Sequence, residues 1–65
     1  MNRQEFENAV SKILAIKGHS YFRVYIKGSV ILAEAYEIHT DDTVLLFNCN
    51  NTVAFARFED IDDIK

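Results

Sequence analysis

Residues 30–58 repeatedly place apolar side chains on both faces of segments whose flanking turn signals mark them as strands. In the run 30–39, Val30 and Leu32 fall on one face and Ile31, Ala33 and Ala35 on the other. In 43–49, Val44 and Leu46 oppose Leu45, Phe47 and Cys49; in 52–58, Val53 and Phe55 oppose Ala54, Ala56 and Phe58. A sheet with one solvated face alternates cleanly between apolar and polar residues. This one needs cover on both sides, and a single amphipathic helix covers only one. The second face closes in one of two ways. Either the sheet curls into a small barrel, or it packs against another chain, as large exposed apolar patches do.

The helix is the N-terminal segment. Asn2 is a good N-cap, and Glu5 three residues on completes a capping box. Phe6, Ala9, Val10, Ile13 and Leu14 recur at helical spacing. Glu5 and Glu7 at the start and Lys17 at the end suit the helix dipole, and Gly18 is a stop signal. The pattern predicts a helix over 3–17.

Phe22, Val24 and Ile26 then alternate with Tyr21, Arg23, Tyr25 and Lys27, the period-2 signature of a strand. Gly28-Ser29 reads as a tight hairpin, Asp41-Asp42 as a polar turn, and Asn50-Asn51 as a two-residue hairpin. The tail EDIDDIK spaces Ile61 and Ile64 three apart, which suits a short helical turn. The expected fold is therefore α+β, one domain over 1–65: an N-terminal helix on a four-stranded antiparallel meander, with a C-terminal helical turn. Its expected core includes Phe6, Val10, Ile13, Phe22, Val24, Ile26, Leu32, Leu46 and Phe55.

A chain of 65 residues is marginal as an independent domain. Its one cysteine excludes an internal disulfide. An oligomer or partner would supply the missing stability, so a homodimer is expected. Apolar residues at 49% exclude a disordered chain. No apolar run approaches the ~20 residues of a membrane span, and the polar N-terminal residues do not read as a signal peptide. With a lone thiol, the expectation is a cytoplasmic protein that does not enter a membrane.

Little in the chain reads as catalytic or metal-binding. His19, His39 and Cys49 lack the close ligand pair that zinc sites use, and the tail acids lack the Gly of a calcium loop. Glu34 sits between Ala33 and Ala35, with Glu37 on the other strand face; if buried, Glu34 would need Arg23 or Arg57 as a partner. Two acids in one strand are too common to define a catalytic pair, and no nucleophile or phosphate-binding motif occurs. The expectation is a non-enzyme without cofactor or metal.

Binding chemistry is better represented. Residues 1–33 carry five cations and two anions, whereas residues 34–65 carry two cations and eight anions. Such asymmetry concerns association, not fold. Asp41, Asp42, Glu59, Asp60, Asp62 and Asp63 form an acidic set suited to a basic partner. Tyr21, Arg23, Tyr25 and Tyr36 supply the residue types in which interface energy concentrates. The alternation of Tyr21 and Tyr25 with Arg23 and Lys27 also suits a stacking platform for single-stranded nucleic acid, against which stands the negative net charge.

The segments YFRVYIKG, SVILAEAYEIH, TVLLFN and TVAFARF, followed by EDIDDI, give the whole chain an overall resemblance to small phage- or mobile-element-encoded inhibitors of the anti-CRISPR and anti-defence kind. That resemblance implies a compact, acidic, non-enzymatic protein that covers a partner's surface, such as a host nuclease or defence complex. A second resemblance is to SH3-like or Sm-like small barrels, which set a short helix before curved antiparallel strands. It implies nucleic-acid binding, with one strand fewer here than those barrels carry. Self-assembly as a structural protein is the third expectation.

Overall fold

Asn2 opens the helix as its spacing predicts. In the computed structural model, which describes residues 1–39, 42–48 and 50–65, Asn2 Oδ1 accepts from the Glu5 N–H at 2.8 Å. Glu5 Oε1 in turn accepts from the Asn2 N–H at 2.9 Å. The helix α1 runs Arg3–Leu14, shorter than expected. Beyond it, the Ile16 N–H bonds back to Ile13 O and the His19 N–H to Ile16 O, with Gly18 at φ 90°. Gly18 thus serves the turn after the helix, and Lys12 is the basic residue of the last turn. Replacing Asn2 by Ala is expected to cost about 1 kcal/mol, read from urea denaturation. An unchanged midpoint would mean that the capping box contributes nothing.

The first hairpin joins β1 (Phe22–Ile26) to β2 (Ser29–Ala33), with Phe22 opposite Ala33 and Ile26 opposite Ser29. Its central residues are therefore Lys27 and Gly28 rather than Gly28 and Ser29. Both have positive φ, 45° and 85°, as a type I′ turn requires. The expected long strand 30–39 breaks at Glu34, whose N–H reaches across to Phe47 O. Beyond that bend the chain continues as β3 (Ala35–Ile38), β4 (Thr43–Phe47) and β5 (Val53–Arg57). The β4–β5 connection closes with the Asn48 N–H on Thr52 O. Asn48 Oδ1 caps the Asn50 N–H, and Asn51 sits at φ 62°. This is a longer loop than the expected two-residue hairpin. Asp41, expected in the preceding turn, and Cys49, expected at the third strand's end, lie outside the described residues.

The tail departs furthest from expectation. Helical geometry is confined to a 3-10 turn, Phe58–Asp60, and Ile61–Ile64 forms a strand, β6, antiparallel to β1. The expected four-stranded meander is thus two three-stranded antiparallel sheets, ordered β2-β1-β6 and β3-β4-β5. The chain passes from one to the other through the bend at Glu34.

One core serves both sheets and the helix. Phe6, Val10, Phe22, Val24 and Leu46 are buried as expected, joined by Ala33, Val44, Ala56, Phe58, Ile61 and Ile64. Ile13 and Ile26 are half-buried against it. Leu32 and Phe55 were expected inside, but they are 40% and 61% exposed. Their strands turn the small residues Ala33, Ala54 and Ala56 inward, where the Phe6, Phe22, Tyr36 and Phe58 rings already fill the interior. Among the described residues, no helix is long and apolar enough to cross a membrane.

Candidate interaction surfaces

With Phe22 and Val24 turned inward, β1 presents Arg23 and Tyr25 on its outer face, continued by Tyr21 just before the strand. Antiparallel register places Leu32 beside Arg23 and Val30 beside Tyr25, so these aliphatic side chains join the same face. On the other flank, β6 places Asp63 beside Tyr25. The Lys65 N–H bonds to Arg23 O. The Arg23 guanidinium stands 5.6 Å from the Tyr21 ring centre and Lys65 Nζ 5.5 Å from that of Tyr25, within cation–π range. Tyr21 borders a cleft of about 170 Å³ shared with Leu32 and Glu34, and one of about 150 Å³ shared with His19, Arg23 and Lys65. The surface is therefore aromatic, basic and aliphatic together, and Val30 at 54% exposed contributes open apolar area.

The structure brings Tyr21, Arg23 and Tyr25 together and separates them from the other expected site residues. Tyr36 lies on the inner face, 5.1 Å from the Phe6 ring and 6.3 Å from Phe22, both edge-on. Its ring packs against the core, so it leaves the set of exposed anchors. The tail acids have local partners. Asp60 pairs with Lys27 at 3.1 Å, Glu59 with Arg57 at 3.1 Å and Asp63 with Lys65 at 3.7 Å. Asp62 accepts from the Lys27 N–H. Asp42 is exposed, at φ 61°. Exposed ion pairs of this kind are worth little individually, but here they tie the tail to the first hairpin and to the end of β5. Glu34 is exposed and needs no buried partner. Sequence reasoning missed Val30, Leu32 and Lys65 as surface residues. Lys65 reaches the face only because β6 is a strand, and Val30 and Leu32 reach it only through the β1–β2 register, because both faces of β2 are apolar.

The second outer face belongs to β3-β4-β5. Register aligns Glu37, Leu45 and Phe55 in one row and Ala35, Phe47 and Val53 in the next. Val53 is 56% exposed. His39 packs edge-on to Phe55 at 6.4 Å. Its Nε2 is shut off from solvent and has no hydrogen-bond partner among the described residues, with Glu37 Oε1 3.5 Å away. That distance exceeds a sound hydrogen bond, so the two groups are in electrostatic proximity only. Among the described residues, no group of three His, Cys, Asp or Glu is placed to hold a metal ion.

Fold and surfaces define a small α+β domain whose candidate sites are sheet faces rather than an enclosed pocket. No family model matches the chain, and no curated protein or solved structure matches it.

Proposed function

We propose that this chain is a small non-enzymatic interaction module that occludes a macromolecular partner with the outer face of β1 and β2. One observation carries the reading: Tyr21, Arg23 and Tyr25 share that face with the exposed Val30 and Leu32. Tyrosine and arginine around an apolar centre are the composition of interface hot spots. An inhibitor that covers a functional surface of its target is the concrete form of this activity. The cations Arg23 and Lys65 favour an acidic rim on the partner protein. The tail carboxylates have lesser weight in docking, because their charge is already met within the chain.

Single-stranded nucleic acid is a second reading, favoured by the ring–cation alternation along β1. Salt separates the two. Phosphate binding weakens steeply and linearly in log salt, whereas an aromatic-centred protein interface does so weakly.

The test compares wild-type bait with a Tyr21→Ala/Arg23→Ala/Tyr25→Ala variant in capture from a bacterial lysate, read by mass spectrometry and by absorbance for nucleic acid. The expected result is a stoichiometric protein whose affinity for the variant is at least about 100-fold weaker, since each hot-spot residue is worth about 2 kcal/mol or more. Equal capture by the variant would remove this face as the site. Recovery of salt-sensitive nucleic acid alone would favour the second reading.

A further inference from the structure

The outer face of β3-β4-β5 is only partly covered by the described residues: His39 packs against Phe55, yet Val53 and Phe55 remain 56% and 61% exposed. Leu45, Phe47, Val53 and Phe55 form its apolar centre. Glu37 lies on the β3 flank, in the row of Leu45 and Phe55. Arg57 lies on the β5 flank, two residues along the strand from Phe55 and opposite Thr43. Glu37, beside His39, and Arg57, paired with Glu59, thus stand on opposite flanks of the apolar strip.

We infer that this face is a two-fold homodimer interface, in which the apolar strips of two copies pack together and Glu37 of each copy faces Arg57 of the other. A two-fold axis running along the strands, in the plane between the sheets, lays β3 of one copy over β5 of the second. That operation puts unlike charges on both flanks at once. Any other partner would need a matching acid–base pattern of its own, whereas a second copy has it by symmetry. Packed sheets lie about 10 Å apart and nearly aligned, a separation that long Glu and Arg side chains bridge. In the single chain Glu37 lies 3.5 Å from His39 and Arg57 pairs with Glu59 at 3.1 Å, so association would exchange these pairs for intermolecular ones; Glu37, Arg57 and Glu59 are all at least 64% exposed in their side chains. Exchanging such surface pairs costs little. The size argues the same way, since for 65 residues with a single cysteine association is a recognised source of added stability.

The test is sedimentation equilibrium of the whole chain across micromolar to millimolar concentration, with four variants. The wild type is expected to show a reversible monomer–dimer equilibrium. Phe55→Lys, which puts a charge at the centre of the strip, is expected to weaken dimerisation at least about 100-fold. Glu37→Arg alone and Arg57→Glu alone each oppose like charges on both flanks and are expected to weaken it roughly tenfold. The double swap Glu37→Arg/Arg57→Glu restores unlike charges and is expected to recover most of the wild-type association. All three substituted positions are exposed, and far-UV circular dichroism checks the folding of each of the four variants. A wild type that stays monomeric at millimolar concentration overturns the inference. So does a dimer indifferent to Phe55→Lys, or one that the double swap fails to rescue.

Discussion

Truncating Phe6 to alanine is expected to remove about 3–5 kcal/mol of stability, the usual loss for a buried phenylalanine. Phe6 is fully buried and meets three rings edge-on: Tyr36 at 5.1 Å, Phe58 at 5.4 Å and Phe22 at 6.3 Å. These rings come from β3, from the 3-10 turn and from β1, so one side chain joins the helix to both sheets. Its removal leaves a cavity that no single neighbour can fill, because each neighbour is anchored in a different element. At roughly 0.05–0.15 kcal/mol per residue, a chain of 65 residues has only about 3–10 kcal/mol in total. The Phe6→Ala chain is therefore expected to lose from about a third to all of its stability, as read by far-UV circular dichroism and urea titration. A variant within about 1 kcal/mol of wild type would show that the ring cluster is not the centre of the core. Leu14, on the same helix and 40% exposed, is the control: Leu14→Ala is expected to cost much less.

The helix and the first hairpin were legible because their signals are local. A capping box and an apolar repeat need no tertiary information, and β1 alternates cleanly enough for parity to select its buried side. In β2, β4 and β5 parity failed as a guide, since both faces are apolar. Placing Leu46 and Phe55 in one core was inconsistent with pairing: register sets Leu46 beside Ala54, and Phe55 beside Leu45 on the opposite face. What decides which face turns inward is volume. Four rings already converge on the interior, so the alanines of β2 and β5 face it and the larger side chains turn out. That is a property of the assembled sheets and cannot be read from one strand.

The same distinction governs the candidate site. Tyr21, Arg23 and Tyr25 were legible as one face because a single strand carries them. Val30 and Leu32 join that face through the β1–β2 register, and Lys65 through the β1–β6 pairing. Only residue type marks Tyr36 as an anchor in the sequence, and residue type does not say that Phe6 sits 5.1 Å from its ring. The acidic tail was legible as charge but not as ion pairing, because its partners Lys27 and Arg57 lie on other elements.

Ile61→Ala is expected to cost about 2–5 kcal/mol and to loosen β6 from β1. Ile61 and Ile64 stand three apart, the spacing of a helical face, yet both are buried from a strand. The register explains how. Ile64 lies opposite Val24 and Asp63 opposite Tyr25, but Ile61 lies opposite Ile26, with the shift falling between Tyr25 and Ile26. Asp62 is thus the extra residue of a β-bulge, and it lets an odd spacing point both isoleucines inward. Its carboxylate accepts the Lys27 N–H at 3.1 Å, which joins the bulge to the hairpin turn. Losing the Ile61 side chain frees the N-terminal half of β6 and uncovers the edge of β1, an unpaired strand prone to intermolecular pairing. Besides the shift in urea midpoint, hydrogen exchange at the Lys65 amide, bonded to Arg23 O at 2.9 Å, is expected to accelerate with the loss of strand pairing. Asp63→Ala, on the exposed side of the same strand, is expected to change the midpoint by less than about 0.5 kcal/mol. If Ile61→Ala and Asp63→Ala proved equally mild, β6 would contribute nothing to the core, and the second sheet edge of β1 would have to be covered by something else.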